Sequence, residues 1–257
     1  MIKIKKKYFE EGFLHLKKVF SLKELNNLKL CMWKVADKDF SQMLNLHNYE
    51  YLLSQYIKKI YKNEENIKVY FLLKEIKKYS EYFLSIYKKE KLVRIFNNLY
   101  NKEVVGLQTQ AIYKFPQSKY GKQSYVPHQD NSYAKNKKGL FFTAHIFLVN
   151  SDKKNGTLYV YKGSHKMGLK KFTKRSSFKN HLEAGNLISI KNLEEKFQKI
   201  DINANPGDVL IMHGNLVHGS YVNLSKKPRP TFSLCAIPKN ERFSKGYYAQ
   251  REIFSLR

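Results

Sequence analysis

The sequence predicts a mainly β protein with flanking helices. Apolar residues recur at helical spacing within the first hundred residues, whereas short apolar runs punctuated by Gly, Pro and Asn follow from Val104 onward. No linker, internal repeat or low-complexity segment separates the two parts of this 257-residue chain. We therefore expect a single domain, residues 1–257, in which a mostly helical part, residues 1–100, packs on a β core formed by residues 104–240.

The N-terminal part contains two helix signals. Ser21, followed three residues later by Glu24, forms a capping box, which is typical of the start of a helix. Apolar residues at spacings of three and four then cover most of residues 67–100. We predict one helix near residues 21–36 and one or two more before Tyr100.

The C-terminal part contains five runs with the length and composition of β-strands. They are VVGLQTQAIYKF, LFFTAHIFLV, GTLYVYKG, GDVLIMHG and RPTFSLCAIP. Short strands separated by turn residues are typical of an all-β barrel or sandwich. Because nothing separates them from the N-terminal part, we expect the helices to pack on the sheet.

Composition restricts the setting and the partners of the chain. It has no run of about 18 apolar residues, and acidic residues interrupt the N-terminal segment where a signal peptide would be apolar. We expect a cytoplasmic protein without a membrane partner. Cys31 and Cys235 lie outside any CxxC spacing and are interpreted as buried thiols. The sequence does not indicate an oligomeric state.

The formal net charge of +27 raises the question of a polyanionic partner. The lysines are dispersed along the chain, often beside Asn, Ile and Tyr, and no aromatic and basic recognition motif accompanies them. We therefore favour a solvated surface over a nucleic-acid interface.

The stretch VPHQDNSY, residues 126–133, contains a candidate metal site. Residues i and i+2 of a strand share a face, so His128 and Asp130 can present an imidazole and a carboxylate to one point. A second histidine would complete the two-histidine, one-carboxylate set that suits non-haem Fe(II) and leaves coordination positions open. His213 and His218 are both candidates, and without them the pair would be an ordinary polar strand.

Several motifs occur in a specific order. The chain contains HQD at 128–130, NGTLYVYKGSHK at 155–166, PGD at 206–208, HGS at 218–220, and Arg229 eleven positions after His218. This series resembles the phytanoyl-CoA dioxygenase family of Fe(II)- and 2-oxoglutarate-dependent oxygenases, including its ectoine-hydroxylase-like members. The segment YFEEGFLHLKKVFSLKEL also resembles the family's opening, a short strand before the first helix. The resemblance implies a double-stranded β-helix, a cupin-like jelly roll, buttressed by the N-terminal helices.

The resemblance also implies roles for individual residues. The implied iron ligands are His128, Asp130 and His218, with His213 as a core or supporting residue. Arg229 would hold the C5 carboxylate of 2-oxoglutarate, because a guanidinium can donate two parallel hydrogen bonds to a carboxylate. Further contacts with 2-oxoglutarate are expected at Ser220, Gln108 and Thr231. Gln129, Tyr113 and His145 are candidates for the pocket. His145 stands where phytanoyl-CoA dioxygenase has a tryptophan, and it is expected either to contact 2-oxoglutarate or a polar substrate or to be a core histidine.

The implied activity is that of a dioxygenase. Fe(II) would be the cofactor, 2-oxoglutarate and O₂ the co-substrates, and hydroxylation of a C–H bond would accompany release of succinate and CO₂. Asp130 stands where halogenating relatives have a small residue, which favours hydroxylation. The lysine-rich segment 166–199 is expected to form a lid and favours a small polar or anionic metabolite as the substrate.

Two other functions stay open at this point. One is a jelly-roll protein that binds a ligand or metal without turnover. The other is a nucleic-acid-directed oxygenase or binder, which the charge alone suggests and which would show steeply salt-dependent binding.

Overall fold

Two facing antiparallel sheets form the centre of the molecule. The structure is a computed structural model that describes residues 2–36, 68–71, 85–114, 124–174, 186–188, 190, 192–227, 229–245 and 251–257. The helices are α1 (Ile2–Glu11), α2 (Leu22–Ala36), α3 (Glu90–Tyr100), α4 (Asn131–Ala134) and α5 (Leu193–Lys196). The strands are β1 (Phe13–Leu16), β2 (Lys68–Phe71), β3 (Val104–Lys114), β4 (Tyr125–His128), β5 (Phe142–Phe147), β6 (Leu158–Tyr161), β7 (Phe172–Lys174), β8 (Asn186–Ile188), β9 (Lys199–Asp201), β10 (Val209–His213), β11 (His218–Ser220), β12 (Arg229–Pro238) and β13 (Phe254–Ser255).

The strand order is that of a jelly roll. The larger sheet has the order β1-β10-β5-β12-β3-β13, with β2 also paired to β3, and the smaller sheet has the order β4-β11-β6-β9. Strands distant in sequence are therefore neighbours, as when β10 lies between β1 and β5. Apolar side chains from both sheets share one cluster, including Phe147 and Leu210 from the larger sheet and Val160 from the smaller. The fold is thus the predicted mainly β architecture with flanking helices.

The helices cover the outer face of the larger sheet. Side chains alternate along a strand, and those on the outer face of β5 and β12 pack in one buried cluster with side chains from α2 and α3. The members of this cluster include Leu25, Leu28, Leu92, Phe96, Phe142, Ala144, Ile146, Phe232 and Leu234. The inner face of the same strands is left to face the smaller sheet, and its residues form the candidate site.

Most predicted elements are present. The capping box forms as expected, since Ser21 N donates to Glu24 Oε2 at 2.7 Å and Glu24 N donates to Ser21 Oγ at 3.3 Å, and α2 follows. The five predicted strand runs contain β3, β5, β6, β10 and β12. Cys235 is a buried thiol, as predicted, whereas the side chain of Cys31 lies outside the described part of the chain.

Two elements differ from the sequence prediction. Residues 68–71 lie where apolar spacing predicts helix, but they form β2, which pairs with β3. Pairing with a long neighbouring strand overrides a local helical pattern, because strand preference depends on the cross-strand context. The other element is α1, which no sequence pattern predicted. Its buried Tyr8 places its hydroxyl 2.8 Å from that of Tyr100.

The PGD motif joins the start of the chain to β10. The Asp208 carboxylate accepts hydrogen bonds from Lys18 N at 2.9 Å and Asn205 N at 3.1 Å, and it pairs with Lys17 Nζ at 3.0 Å. Gly207 has a φ of +90°, and a Cβ at this position would collide with the Phe20 carbonyl. The motif is therefore structural, and it fixes β1 against β10.

No helix within the described ranges has the length and apolar character needed to cross a membrane.

Candidate metal and co-substrate site

Three predicted ligands meet at the edge of the smaller sheet. His128 ends β4, Asp130 lies two residues later, and His218 begins β11, where it is paired directly with His128. The Nε2 atoms of His128 and His218 lie 3.6 and 3.5 Å from Asp130 Oδ1. A metal–ligand bond measures about 2.0 to 2.4 Å, and the three ligand atoms lie within 4.8 Å of one another. One metal ion fits between them.

Backbone hydrogen bonds orient both imidazoles. Nδ1 of His128 lies 2.8 Å from Val126 O, and Nδ1 of His218 lies 3.0 Å from Leu216 O. Because a carbonyl only accepts, each Nδ1 carries the proton and each Nε2 keeps a lone pair that faces Asp130. Burial lowers the pKa of His218 to about 4 despite the opposing effect of Asp130, so its imidazole is neutral at pH 7. Both rings are thus prepared to bind a cation.

Asp130 is held as a carboxylate. Burial by itself would raise its pKa, but His218, His128 and the hydroxyl of Thr143 outweigh burial and keep the pKa well below its usual range. Thr143 Oγ1 donates to Asp130 Oδ2 at 2.6 Å, which leaves Oδ1 directed at the two histidines. A donor set of two imidazoles and one carboxylate suits Fe(II).

A row of buried polar residues lines the inner face of the larger sheet. In β5 it contains Thr143 and His145, which share the face opposite the helices. In β12 it contains Arg229, Thr231 and Ser233, all of them buried. Polar residues on a face that is closed to water indicate a site for a polar ligand.

Lys114 connects Arg229 of the larger sheet with Ser220 of the smaller sheet. Arg229 begins β12 and is paired with Lys114 of β3, while the Nζ of Lys114 lies 2.9 Å from Ser220 Oγ in β11. Ser220 follows His218 by two residues, so both residues share one face of β11. The structure therefore places the predicted anchor for a carboxylate on the same side of the fold as the triad.

His145 is a buried residue of β5 near both the triad and Arg229. Burial lowers its pKa to about 3, and it interacts electrostatically with Asp130, His218, Arg229 and His128. Its Nε2, like Ser233 Oγ on the paired strand, has no hydrogen-bond partner among the described residues. A buried imidazole nitrogen without a partner is uncommon in folded proteins, and a polar ligand bound beside His145 would supply the missing hydrogen bond.

The other residues predicted for the co-substrate site and the pocket lie in β3 and β12. Gln108 is buried in β3 opposite Cys235, and Thr231 is buried in β12 opposite Phe147. Tyr113 lies in β3 opposite Pro230, but its side chain is outside the described part of the structure.

Gln129, which was expected in the pocket, is buried and its side chain binds backbone groups. Its Nε2 donates to Asn215 O at 2.6 Å and Gly168 O at 2.9 Å, and its Oε1 accepts from Lys170 N at 2.9 Å. Gln129 lies between His128, the last residue of β4, and Asp130, which starts the turn into α4. Gln129 therefore braces the backbone around the HQD motif.

His213 lies in a separate cluster. It contacts α1, since its ring centroid lies 6.0 Å from that of Tyr8 and 4.9 Å from that of His165, and its Nδ1 accepts from Asn215 N at 3.1 Å. Burial and the nearby His165 lower the pKa of His213 to about 3. The structure thus brings His218, and not His213, to the HQD motif.

Sequence reasoning missed Thr143 and Lys114. Thr143 could have been found, because it precedes His145 by two residues and must share its face. No sequence pattern distinguished Lys114 from the other lysines and arginines, which number 48 in total.

Comparison with known proteins identifies the family of the chain. The sequence profile of the family described as phytanoyl-CoA dioxygenase matches residues 8–231. Phytanoyl-CoA dioxygenase 1 of Oryza sativa subsp. japonica is 32% identical over 145 residues, which cover 56% of this chain and 50% of the rice protein. The chain spans about half the length of the curated relatives that it matches.

Two solved structures share the fold. EctD from S. alaskensis, solved with 2-oxoglutarate and 5-hydroxyectoine, has a TM-score of 0.67 at 16% identity, covering 98% of this chain and 82% of that chain. The epimerase SnoN, solved with Fe³⁺, alpha ketoglutarate and nogalamycin RO, has a TM-score of 0.68 at 14% identity, covering 94% and 85%. The profile match extends over most of the chain and shows that the chain belongs to the phytanoyl-CoA dioxygenase family.

Proposed function

We propose that this protein is an Fe(II)- and 2-oxoglutarate-dependent dioxygenase that hydroxylates a C–H bond of a small polar metabolite and releases succinate and CO₂. The observation that carries the proposal is the convergence of the Nε2 atoms of His128 and His218 on Asp130 Oδ1, at 3.6 and 3.5 Å, beside a buried Arg229. Membership of the dioxygenase family and the solved complexes of proteins with the same fold support it.

Each residue of the site has a role in this proposal. His128, Asp130 and His218 would hold the iron, and Thr143 would keep Asp130 oriented. The bound iron would supply the activation of O₂. Three protein ligands leave positions for the two co-substrates.

The far end of 2-oxoglutarate would lie against Arg229 and Ser220. Arg229 suits this role because its guanidinium can donate two parallel hydrogen bonds to the C5 carboxylate. His145, which interacts electrostatically with the triad and with Arg229, would contact the co-substrate or the substrate through its unsatisfied Nε2. Gln108, buried in β3, and Thr231, buried two residues after Arg229 in β12, would contribute to the same pocket.

The substrate would approach from the side of His128 and Asp130. Their side chains are 14% and 20% exposed, whereas that of His218 is 4% exposed, so the site opens at the HQD motif. The lysine-rich segment begins beside this opening, because Gln129 holds Gly168 and Lys170 through hydrogen bonds. The exposed Lys170 and Lys171 support an anionic metabolite as the substrate. Residues 175–185 of the segment predicted as a lid lie outside the described residues.

The proposal is tested by adding Fe(II) and then 2-oxoglutarate without oxygen, and by measuring succinate release in air. Wild-type protein is expected to show a weak visible absorption band when both are bound, and to form succinate slowly even without the substrate. Asp130→Ala should lose both signals and keep its fold, because it removes a metal ligand and little core volume. Asp201→Ala, which removes an exposed carboxylate from β9, is the control.

Three results would contradict the proposal. Absence of the band in wild-type protein would favour a non-catalytic binding protein. Succinate formation by Asp130→Ala at the wild-type rate would remove the triad assignment. Strong binding of DNA or RNA that falls steeply with salt, in the absence of succinate formation, would favour the nucleic-acid alternative.

A further inference from the structure

The GSH motif begins a segment that runs past both parts of the metal site. The GSH segment, residues 163–170, contains the 3₁₀ helix Ser164–Met167 and ends just before β7. Near its start, His165 Nε2 lies 3.0 Å from Phe9 O of α1. The segment is therefore fixed to the N-terminal helix before it reaches the metal site.

Ser164 bonds the GSH segment to the turn that carries His218. Val217 N donates to Ser164 Oγ at 2.9 Å, and both residues are fully buried. The carbonyl that orients the His218 imidazole is Leu216 O, 3.0 Å from Nδ1. Leu216 O and Val217 N belong to one planar peptide unit. The bond to Ser164 thus helps to fix the carbonyl that orients the imidazole.

Gln129, the middle residue of the HQD motif, bonds the other end of the GSH segment. Its Nε2 donates to Gly168 O at 2.9 Å and to Asn215 O at 2.6 Å, and its Oε1 accepts from Lys170 N at 2.9 Å. Gln129 is fully buried, and both amide hydrogens are used. Because the donors meet carbonyls and the acceptor meets an N–H, the partners fix the orientation of the amide.

The bonds of Ser164 and Gln129 tie one segment to neighbours of all three ligands. Gln129 is covalently linked to both His128 and Asp130, and Ser164 holds the peptide that orients His218. Drawing the three ligands toward one metal ion therefore also restrains the residues that hold the segment. Coupling of this kind is reciprocal, so the docked segment must favour metal binding by the same factor.

Lys170 and Lys171 are the charged residues whose position depends on this docking. Both side chains are exposed, whereas the backbone N–H of Lys170 is held by Gln129. Directly after them β7 pairs with β8, and β8 lies beside β4, the strand that ends at His128. The two lysines thus stand beside the open side of the metal site, where they can attract an anion.

We propose that Gln129 is a positioning residue that couples metal binding to the docking of the GSH segment, and through it to the placement of Lys170 and Lys171 for an anionic substrate. This inference rests on the metal site of the proposed function. With the triad occupied, Gln129 keeps the segment docked; with the segment docked, His128 and Asp130 stay in position for the metal. Gln129 itself touches neither the metal nor the substrate.

The test measures metal affinity and amide exchange, and it needs no turnover. Mn(II) replaces Fe(II), and electron paramagnetic resonance of the free ion gives its dissociation constant. Hydrogen exchange followed by mass spectrometry gives the protection of residues 168–171, with and without Mn(II). Gln129→Met removes all three hydrogen bonds at a similar side-chain length and adds no charge near the ligands.

Asn223→Leu is the matched control. Asn223 is also a buried amide whose Nδ2 donates to two carbonyls, Lys114 O at 2.6 Å and Lys227 O at 3.0 Å, and whose Oδ1 accepts from Ser225 N at 3.0 Å. None of these three partners belongs to the GSH segment or to the HQD motif. Thermal unfolding verifies that each variant is folded. Gln129→Glu, which keeps the acceptor for Lys170 N and loses the donors, serves in the exchange measurement if the methionine variant does not fold.

In wild-type protein, Mn(II) should slow the exchange of residues 168–171 by about tenfold, within the ordinary range of coupling between two sites. Gln129→Met should abolish this response and weaken Mn(II) binding by about tenfold, the lower end of the effect of losing a residue that supports metal ligands. Gln129→Glu should also lose the response. Asn223→Leu should lower the unfolding temperature and keep both measured values within about twofold of wild type.

The outcomes separate this inference from the proposed function. If wild type binds no Mn(II), the metal site of the proposed function fails and the inference fails with it. If wild type binds Mn(II) and the exchange of residues 168–171 does not respond, the inference alone is wrong. A folded Gln129→Met variant with wild-type Mn(II) affinity, or an equal loss of affinity in Asn223→Leu, would show that Gln129 only supports the fold and would also overturn it.

Discussion

The hydrogen bond from Thr143 to Asp130 provides a specific test of the metal site. Thr143 Oγ1 donates at 2.6 Å to Oδ2, while Oδ1 of the same carboxylate is the oxygen nearest to both imidazoles. Thr143→Val replaces the hydroxyl with a methyl group of similar size. It leaves the three ligands in place and removes the group that fixes the orientation of one of them.

The expected magnitude follows from the burial of this contact. Thr143 is 2% exposed, so water has little access to replace the lost donor. Removing a group that orients a metal ligand lowers metal affinity by about tenfold to a hundredfold, which corresponds to about 1.4 to 2.7 kcal/mol. The fold should lose about 1.5 to 3 kcal/mol of stability as well, because the acceptor is charged.

Competition with a coloured chelator measures the Fe(II) dissociation constant without oxygen. Thr157→Val is the matched control, since Thr157 is also buried and donates at 2.6 Å, but to Ile202 O, away from the ligands. Stability should fall in the control while Fe(II) affinity stays at the wild-type value. Unchanged Fe(II) affinity in Thr143→Val, or an equal loss in both variants, would refute this role of Thr143.

Three further predictions concern the co-substrate, the response to pH and the NGT turn. Arg229→Met should raise the 2-oxoglutarate concentration needed for succinate release by about tenfold to over a hundredfold, with Arg229→Lys rescuing only in part; an unchanged dependence would show that the co-substrate binds elsewhere. The pKa of His213 is about 3 in the folded chain, whereas its ordinary value is 6.5. Between these two pH values only the unfolded chain binds the proton, so the stability of the folded chain falls as the pH drops. His213→Asn should therefore reduce the slope of unfolding free energy against pH by up to about 1.4 kcal/mol per unit below pH 6.5. Urea unfolding at several pH values measures this slope, and an unaltered slope would contradict the prediction. Gly156→Ala should lower the free energy of unfolding by about 1 to 2 kcal/mol, because the φ of +84° is unfavourable for alanine and the new Cβ crowds Tyr221 O. Denaturant unfolding measures this change, and a stability equal to that of wild type would contradict the prediction.

The sequence by itself determined the features that depend on neighbouring residues. The capping box of Ser21 and Glu24 acts across three positions, and strand length, turn residues and the shared face of His128 and Asp130 are likewise local. The order of the HQD, NG, PGD and HGS motifs indicated the family, and with it the jelly roll and the choice of His218 over His213. These properties could be predicted because each is encoded within a few residues or in a linear order of motifs.

Only the tertiary structure decided which distant residues share the site. Lys114 and Ser220 are 106 positions apart, and nothing near Lys114 distinguishes it from other lysines until β3 pairs with β12 and faces β11. The same long-range pairing made residues 68–71 a strand despite their helical spacing. Register between strands depends on the pattern of the whole sheet, since a shift of one residue moves every side chain to the other face. For that reason the polar row inside the larger sheet, including the contact of Thr143 with Asp130, became visible only in the folded chain.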